Sequence, residues 1–389
     1  MTRLLALLAV LLLPACVSAP PADGPPRIVK IATQSPLTGE QAPQGEAIML
    51  GARVALDDYR AALRARGFAV ELVAVDDKAD LDVAVAGAHR LVADPAILGV
   101  VGPLNSDVAL SVAPVFAAAT LAMISPSSTH AALTGVDHAN VFRVCGRDDV
   151  QGDLGARFAR DSLGAASVWI AHDGSTYGRD VTRFFEAGVR RRGVRVLGYD
   201  GVGDDISPAL VAAIKAAAPD VVYFGGYDER AAALFKALRA AGVGAAFLGS
   251  DGLDSSDLAR RAGDAVVDLY YTSVAGPVAV HPQAKAFAWA FKRRFGKKPE
   301  PFAAQAYDAT AVLLEAVAAA ARTGEVTRAR VVQALRATRY LGYTGIVTFD
   351  AHGDLRQALY LVMKVGSADP DDWDDNRELK RVAIPPPPR

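Results

Sequence analysis

The sequence predicts an α/β protein built as two lobes around parallel sheets, and three observations lead there. Short apolar runs alternate with longer helical patterns along most of the chain, the pattern of successive βαβ units. The chain has 389 residues, more than one hydrophobic core usually serves, so two lobes are expected. Its composition, 51% hydrophobic and 22% charged, is that of a globular protein. With 42 basic against 43 acidic residues, it carries no basic footprint for nucleic acid.

The chain opens on a secretion signal. Arg3 precedes an apolar run over residues 4–13, too short to span a bilayer, which takes about 20 residues. Residues 1–15 are therefore read as a signal peptide. Ordinary cleavage near Ala19 is the alternative to processing at Cys16. Residues 16–26, with Pro20, Pro21, Pro25 and Pro26, read as an extended tether.

Residues 28–33 are the first strand, 35–39 a turn and 45–63 a helix. Residues 70–75 and 79–93 repeat the pair. Residues 97–101 then form a strand ended by Gly102-Pro103-Leu104-Asn105-Ser106, and Ser106 stands at an N-cap position before the apolar periodicity of 108–118. Residues 121–124 are the next strand, followed by Ser125-Pro126-Ser127-Ser128-Thr129. In open parallel sheets, ligands bind beyond the carboxyl ends of strands. Two neighbouring strands thus bring hydroxyls and backbone N–H groups to one place. On these residues alone Ser106 reads equally as a cap or an anion-binding group, and the serine run as a loop.

After a strand at 141–144, Gly146-Arg147-Asp148-Asp149 breaks the pattern and a new alternation begins at Gln151. Strands are expected at 167–172, 194–199, 221–224 and 247–250, with helices ending at Arg192, over 207–218 and over 232–241. His172-Asp173 reads as a strand end or as a catalytic pair, and no nucleophile lies near it in sequence. Residues 270–277 look like a return crossing. A helix runs to Phe295, a longer one spans 303–321, and 359–365 is the last expected strand. The acidic run 369–375 and the prolines of 385–388 are read as a solvated tail.

Several of these strings carry a resemblance. GPLNSDVALSVAP, MISPSSTH, HDGSTYG, the turn Gly225-Gly226-Tyr227-Asp228, and Gly345 to Asp354 spaced as G-x-x-x-F-D-x-x-G-D are similar to the branched-chain (Leu/Ile/Val-type) amino-acid binding proteins of bacterial ABC transporters. These are substrate-binding proteins of the type I periplasmic binding protein family. The resemblance covers nearly the whole chain beyond the signal, in the right order. It implies two Rossmann-like lobes joined by three hinge crossings, a Venus flytrap, with an N-terminal lobe of 27–145 plus 277–350 and a C-terminal lobe of 146–276 plus 351–380. Residues 381–389 would be a Pro-rich tail. Leu13-Pro14-Ala15-Cys16 resembles a lipobox, which implies a lipid on Cys16 and a periplasmic protein anchored to a bacterial membrane.

The same resemblance supplies site roles. Ser106 would take the ligand carboxylate with Asn105 beside it, Ser127 would offer a carbonyl and Thr129 a hydroxyl. From the other lobe, Tyr177 and Tyr227 would close over the ligand, and Asp251 would face its ammonium, although an N-cap role fits Asp251 too. Gln44 stands where family members with aliphatic ligands often carry an aromatic residue. Tyr307 matches a tyrosine-rich helix start. Family members often join the turns near Asp77 and Asn105 by a disulfide, whereas here Cys145 would be the lone cysteine of the processed chain. No cofactor or metal is implied, and the partners are a small ligand and an ABC permease. A sensor of the same fold, for an amide or small carboxylate, is the alternative. An exported hydrolase is the third reading, against which G-x-S-x-G, H-E-x-x-H, paired C-x-x-C and the P-loop are all absent.

Overall fold

A computed structural model describes residues 25–135, 138–322 and 324–388. The predicted signal peptide, Cys16 and most of the tether lie outside the described residues. In the first lobe, β1 (Arg27–Ser35), β2 (Phe68–Asp76), β3 (Ile97–Val101), β4 (Ala122–Ser125) and β5 (Val141–Arg143) form a parallel sheet in the order β2-β1-β3-β4-β5. The crossovers are α1 (Ala42–Arg64), α2 (Leu81–Ala93) and α3 (Ser106–Ala118). Helix α1 begins ahead of the expected residue 45, because Pro43 fits a first helical turn.

The strands are apolar on both faces because both faces are covered. Ile31 and Leu98 pack with Ile48 of α1, whereas Ala32 and Ile97 pack with Ala88 of α2 and Val112 of α3. Neighbouring residues serve opposite cores, as a period of two requires.

The chain crosses to the second lobe at 144–147 and winds again in the same sense. Helices α4 (Asp148–Asp161), α5 (Thr176–Arg191), α6 (Pro208–Ala217), α7 (Asp228–Ala240) and α8 (Ser256–Ala262) accompany strands β6 (Ser167–His172), β7 (Arg195–Gly201), β8 (Val221–Gly225), β9 (Ala246–Gly249) and β10 (Tyr270–Ser273). Their order, β10-β9-β8-β6-β7, repeats that of the first lobe. Val221 and Tyr223 face Leu154 and Phe185, while Val222 and Phe224 face Ile214 and Phe235. Each sheet thus reverses its winding at one point, between β1 and β3 and between β6 and β8.

The chain then returns through 274–277 to the first lobe with α9 (Lys285–Phe295), α10 (Ala303–Arg322), α11 (Arg328–Arg336) and the small hairpin β11 (Tyr340–Leu341) and β12 (Ile346–Val347). Helix α10 lies close along α1. A Cβ on Gly51 would stand 2.1 Å from the carbonyl oxygen of Ala303, so this crossing needs glycine. A third crossing, pinned by a bridge between Phe349 and Leu355, leads back to β13 (Ala358–Lys364) and β14 (Arg377–Ile384).

Here the structure corrects the sequence reading. Residues 359–365 are not the last strand, since β14 pairs antiparallel with β13 from Ala358↔Ile384 to Lys364↔Arg377. The expected tail therefore begins inside a sheet. Nor is the acidic run solvated throughout: Pro370–Asp375 forms a 3-10 turn that buries Trp373. The Trp373 indole N–H donates to Asp254 Oδ1 at 3.0 Å, and its ring stacks on Tyr271 at 5.7 Å.

The crossings are tied to one another by charge. Asp354 accepts from Arg143 Nε at 2.7 Å, from Arg147 Nη1 at 3.1 Å and from the Thr134 hydroxyl at 2.6 Å. Arg143 is fully buried, and its guanidinium also donates to the carbonyls of Ser128 and His130.

Candidate functional site

The carboxyl ends of β1, β3 and β4 face those of β6, β8 and β9 across a narrow cavity of about 20 Å³. Its walls are Gln44, Leu104, Ser106, Ser127, Thr129 and Phe302 from the first lobe, and Tyr177, Tyr227, Asp251 and Gly252 from the second. All but Phe302 follow the carboxyl end of a strand, and half of them, Gln44, Leu104, Ser106, Tyr177 and Tyr227, follow a strand flanking one of the two winding reversals, where doubly wound sheets bind ligands. The volume is that of roughly one water, so the lobes stand nearly in contact. Gln44 Nε2 reaches the carbonyl of Asp254 at 3.5 Å, and the Ser256 hydroxyl donates to Glu300 at 2.6 Å.

The first lobe presents hydrogen-bonding groups. Asn105, with extended backbone, is the N-cap of α3, so Ser106 is the first helical residue and not the cap that its spacing suggests. Its hydroxyl makes no hydrogen bond among the described residues and lines the cavity at the helix N-terminus, where unpaired N–H groups and the helix dipole favour an anion. Thr129 Oγ1 is buried without a partner of normal geometry. Ser127 is different. Its hydroxyl is already committed to the carbonyls of Pro103 and Leu104, at 3.3 and 3.0 Å.

The second lobe presents one ionisable group inside an aromatic wall. Asp251 accepts a 2.5 Å hydrogen bond from the Tyr177 hydroxyl, which also lies 2.8 Å from Ser250 Oγ and accepts from the Gly252 N–H at 2.9 Å. Asp251 opens a 3-10 turn whose cap is Ser250, so its carboxylate is aimed at Tyr177 and is no N-cap. Burial pushes its pKa up to about 6, against the lowering effect of hydrogen bonds from Tyr177 and Gln151. The Tyr177 and Tyr227 rings lie 5.3 Å apart.

These turns are built by Asp173. Its Oδ1 accepts from Ser175 N–H and hydroxyl, and its Oδ2 from Tyr227 N–H at 2.9 Å. Gly226 adopts φ +147° directly over this carboxylate, where a Cβ would stand 2.4 Å from the carboxyl carbon. Every bond of Asp173 thus serves loop geometry, and His172 Nδ1 accepts from Gly174 N–H. The strand-end reading of His172-Asp173 holds, and the catalytic-pair reading falls.

A family model described as periplasmic binding protein matches residues 28–369. The chain belongs to this family. A Pseudomonas aeruginosa relative named leucine-, isoleucine-, valine-, threonine- and alanine-binding protein is 30% identical over 330 residues, covering 84% of this chain and 87% of its own. A second protein from that organism, named amino acid binding protein, is 32% identical over 358 residues, covering 91% and 92%. The crystal structure of a leucine-binding protein from Thermotoga maritima superposes with a TM-score of 0.82 at 28% identity, covering 91% of this chain and 98% of that one. The fold is that of the type I periplasmic binding proteins.

As a periplasmic binding protein, the chain brings together most residues that the resemblance singled out, but not all. Asn105 does not line the cavity; its amide donates to Gln41 Oε1 at 2.6 Å. Tyr307 lies elsewhere in the first lobe, packed on Phe287 and Tyr343, with its hydroxyl bonded to Asp58 at 3.1 Å. The aromatic residue that does reach the cavity from this region is Phe302, just ahead of α10. Proline-aromatic immediately before a helix was the available signal, and it points no side chain by itself. Asp148 was also missed. It is buried behind Thr129, its backbone N–H bonded to the Thr129 carbonyl, and its carboxyl oxygens have no partner of normal hydrogen-bond geometry among the described residues, the Thr129 hydroxyl being the side chain set against them. Burial, and then the charge of Asp251, hold its pKa well above the carboxylate range.

Proposed function

We propose that this protein is a lipid-anchored, extracytoplasmic solute-binding protein that captures an α-amino acid between closing lobes and delivers it to an ABC permease. One observation carries the reading. The free Ser106 hydroxyl at a helix N-terminus, with the Thr129 hydroxyl on the neighbouring turn, faces the buried Asp251 carboxylate across a single cavity, which complements a carboxylate at one end and an ammonium at the other. A zwitterion is buried at low cost only when both ends are paired. The ligand carboxylate goes to Ser106 and the amides of α3, the ammonium to Asp251 and the carbonyl of Ser127, and Tyr177 and Tyr227 cover it. Leu104 and Phe302 give its side chain an apolar wall, with the Gln44 amide as the polar edge.

The mechanism is a clamp. The first lobe holds the ligand backbone while the lobes are parted, and contacts to Asp251 and the tyrosines form as they approach. Because those contacts exist only in the closed arrangement, the ligand shifts the lobes towards it by its differential affinity for that state. The cavity here is smaller than an amino acid, so entry requires the lobes to part and Tyr177 to release Asp251.

The ligand class follows from the relatives' names together with this wall: leucine, isoleucine, valine, threonine or alanine. Calorimetry of the purified protein against these five, and against small carboxylates without an amine, tests it. At least one amino acid is expected to bind saturably, with Ser106→Ala weakening it about tenfold, the worth of one charge-assisted hydrogen bond. Binding confined to carboxylates lacking an amine would overturn the zwitterion reading. The anchor is tested separately. Wild-type protein is expected to fractionate with membranes, and Cys16→Ser to appear in the soluble extracytoplasmic fraction; equal partition of both would refute lipidation at Cys16.

A further inference from the structure

A second cavity, about 740 Å³ in volume, opens at the crossings and shares no residue with the site between the lobes. Its size lies within the range of small-molecule pockets. Three arginines line it: Arg339 from the loop before β11, Arg356 from the third crossing and Arg381 from β14. Among the described residues, no aspartate or glutamate lines it. In a chain with net charge −1, such a concentration of positive charge is local to this cavity.

Two of the three guanidinium groups are not consumed by structural pairing. Arg339 and Arg356 make no side-chain hydrogen bond or ion pair among the described residues, whereas Arg381 is fixed by Glu378 and the carbonyl of Val280. The lining also includes two deeply buried polar side chains. Gln305 of α10 is 2% exposed, and its amide makes no hydrogen bond among the described residues. His281, also 2% exposed, is held by a bond between its Nε2 and the Ala275 carbonyl at 2.8 Å. Two free arginines and an amide lining one cavity match an anion that has several oxygens.

The position matters as much as the charge. Val144 and Cys145 belong to the first crossing, Val274 to the second and Arg356 to the third, while Gln305 is in the first lobe and Arg381 in the second. An occupant would touch both lobes and all three connections between them. We propose that this cavity is a second ligand site, for a small polyanion bearing carboxylate or phosphate oxygens, and that its occupancy is coupled to rotation of the lobes. Any ligand that prefers one lobe arrangement must change the affinity of the amino-acid site, and reciprocally. The anion site stands independently of the proposed function; its coupling rests on that reading.

Calorimetry of the purified protein with citrate and with pyrophosphate, at constant ionic strength, tests both parts. Saturable binding of at least one of these anions is expected, weakened tenfold or more in the Arg339→Ala/Arg356→Ala double variant and unchanged in Ser106→Ala. The two arginines are exposed, and the double variant is expected to keep the wild-type melting temperature without ligand. With the anion saturating, amino-acid affinity is expected to change threefold or more in the wild type and not in the double variant. No saturable binding of either anion, equal binding by the double variant, or loss in Ser106→Ala would each overturn the site. Unchanged amino-acid affinity would overturn the coupling. Failure of the proposed function looks different: no amino acid binds, while the anion titrations behave as described.

Discussion

Replacing Asp251 with asparagine is expected to weaken amino-acid binding by about 30-fold to several-thousand-fold, the equivalent of the roughly 2–5 kcal/mol lost when one partner of a buried, hydrogen-bonded charge pair is removed. Asparagine keeps the shape of the side chain and its contact with Tyr177, so the loss reports charge. The pH dependence gives a second, independent reading. Burial raises the Asp251 pKa to about 6 in the ligand-free protein, so below that pH the free site holds a proton that an ammonium must displace. The dissociation constant is therefore expected to rise by up to tenfold per pH unit below pH 6 and to level off above it. In Asp251→Asn this dependence disappears. Calorimetry between pH 4.5 and 8 decides the matter: a flat wild-type profile, or the same slope in the variant, would remove Asp251 from the ammonium.

The same shift has a sign for stability. An aspartate whose pKa is higher folded than unfolded binds more protons in the folded state between about pH 4 and 6, so ligand-free stability falls as pH rises through that window. At neutral pH the empty site is a destabilising element, and a bound ammonium offsets it. The site thus stores part of the differential affinity that the clamp needs.

How much of this was legible follows from how locally each feature is encoded. Gly102 to Ser106 and Gly225 to Asp228 could be placed because turn chemistry is read within a few residues, and a parallel α/β sheet delivers such turns to its carboxyl edge whatever the detailed packing. Side-chain direction is a different matter. Tyr307 and Phe302 sit five residues apart around the start of α10, and only the packing of that helix on α1 and α9 decides which one reaches the cavity. Ser106 was placed one position early in its helix, because asparagine and serine are both good caps and adjacent here. Strand β14 was invisible for the opposite reason. Arg377–Ile384 reads Arg-Glu-Leu-Lys-Arg-Val-Ala-Ile, a charged edge strand whose weak alternation gains meaning only beside β13. The burial of Trp373 likewise depends on Tyr271 and Asp254, more than a hundred residues earlier.

Asp354 should be the most sensitive single position for stability among the charged residues of the crossings. Replacing it with alanine leaves Arg143, fully buried, and Arg147, nearly so, without their shared carboxylate. Breaking a buried pair from one side costs about 3–5 kcal/mol, because an uncompensated charge stays behind. For a chain of this size that corresponds to a fall in melting temperature of about 4–6 °C. Glu186→Ala provides the contrast. Its carboxylate also accepts two hydrogen bonds from an arginine, Arg190, but that arginine is 59% exposed, and loss of such a surface pair is worth only about 0.5 kcal/mol. Removing both ends of the buried pair, in Arg143→Met/Asp354→Leu, is expected to recover part of the loss seen in Asp354→Ala, since the desolvation cost of Arg143 disappears with its charge. Because Asp354 ties the third crossing to the first, its removal should also loosen the relation between the lobes and alter ligand affinity without touching the site. Thermal melts of the three variants, with and without ligand, separate the effects. An Asp354→Ala melting temperature no lower than that of Glu186→Ala would show that the network does not hold the crossings together.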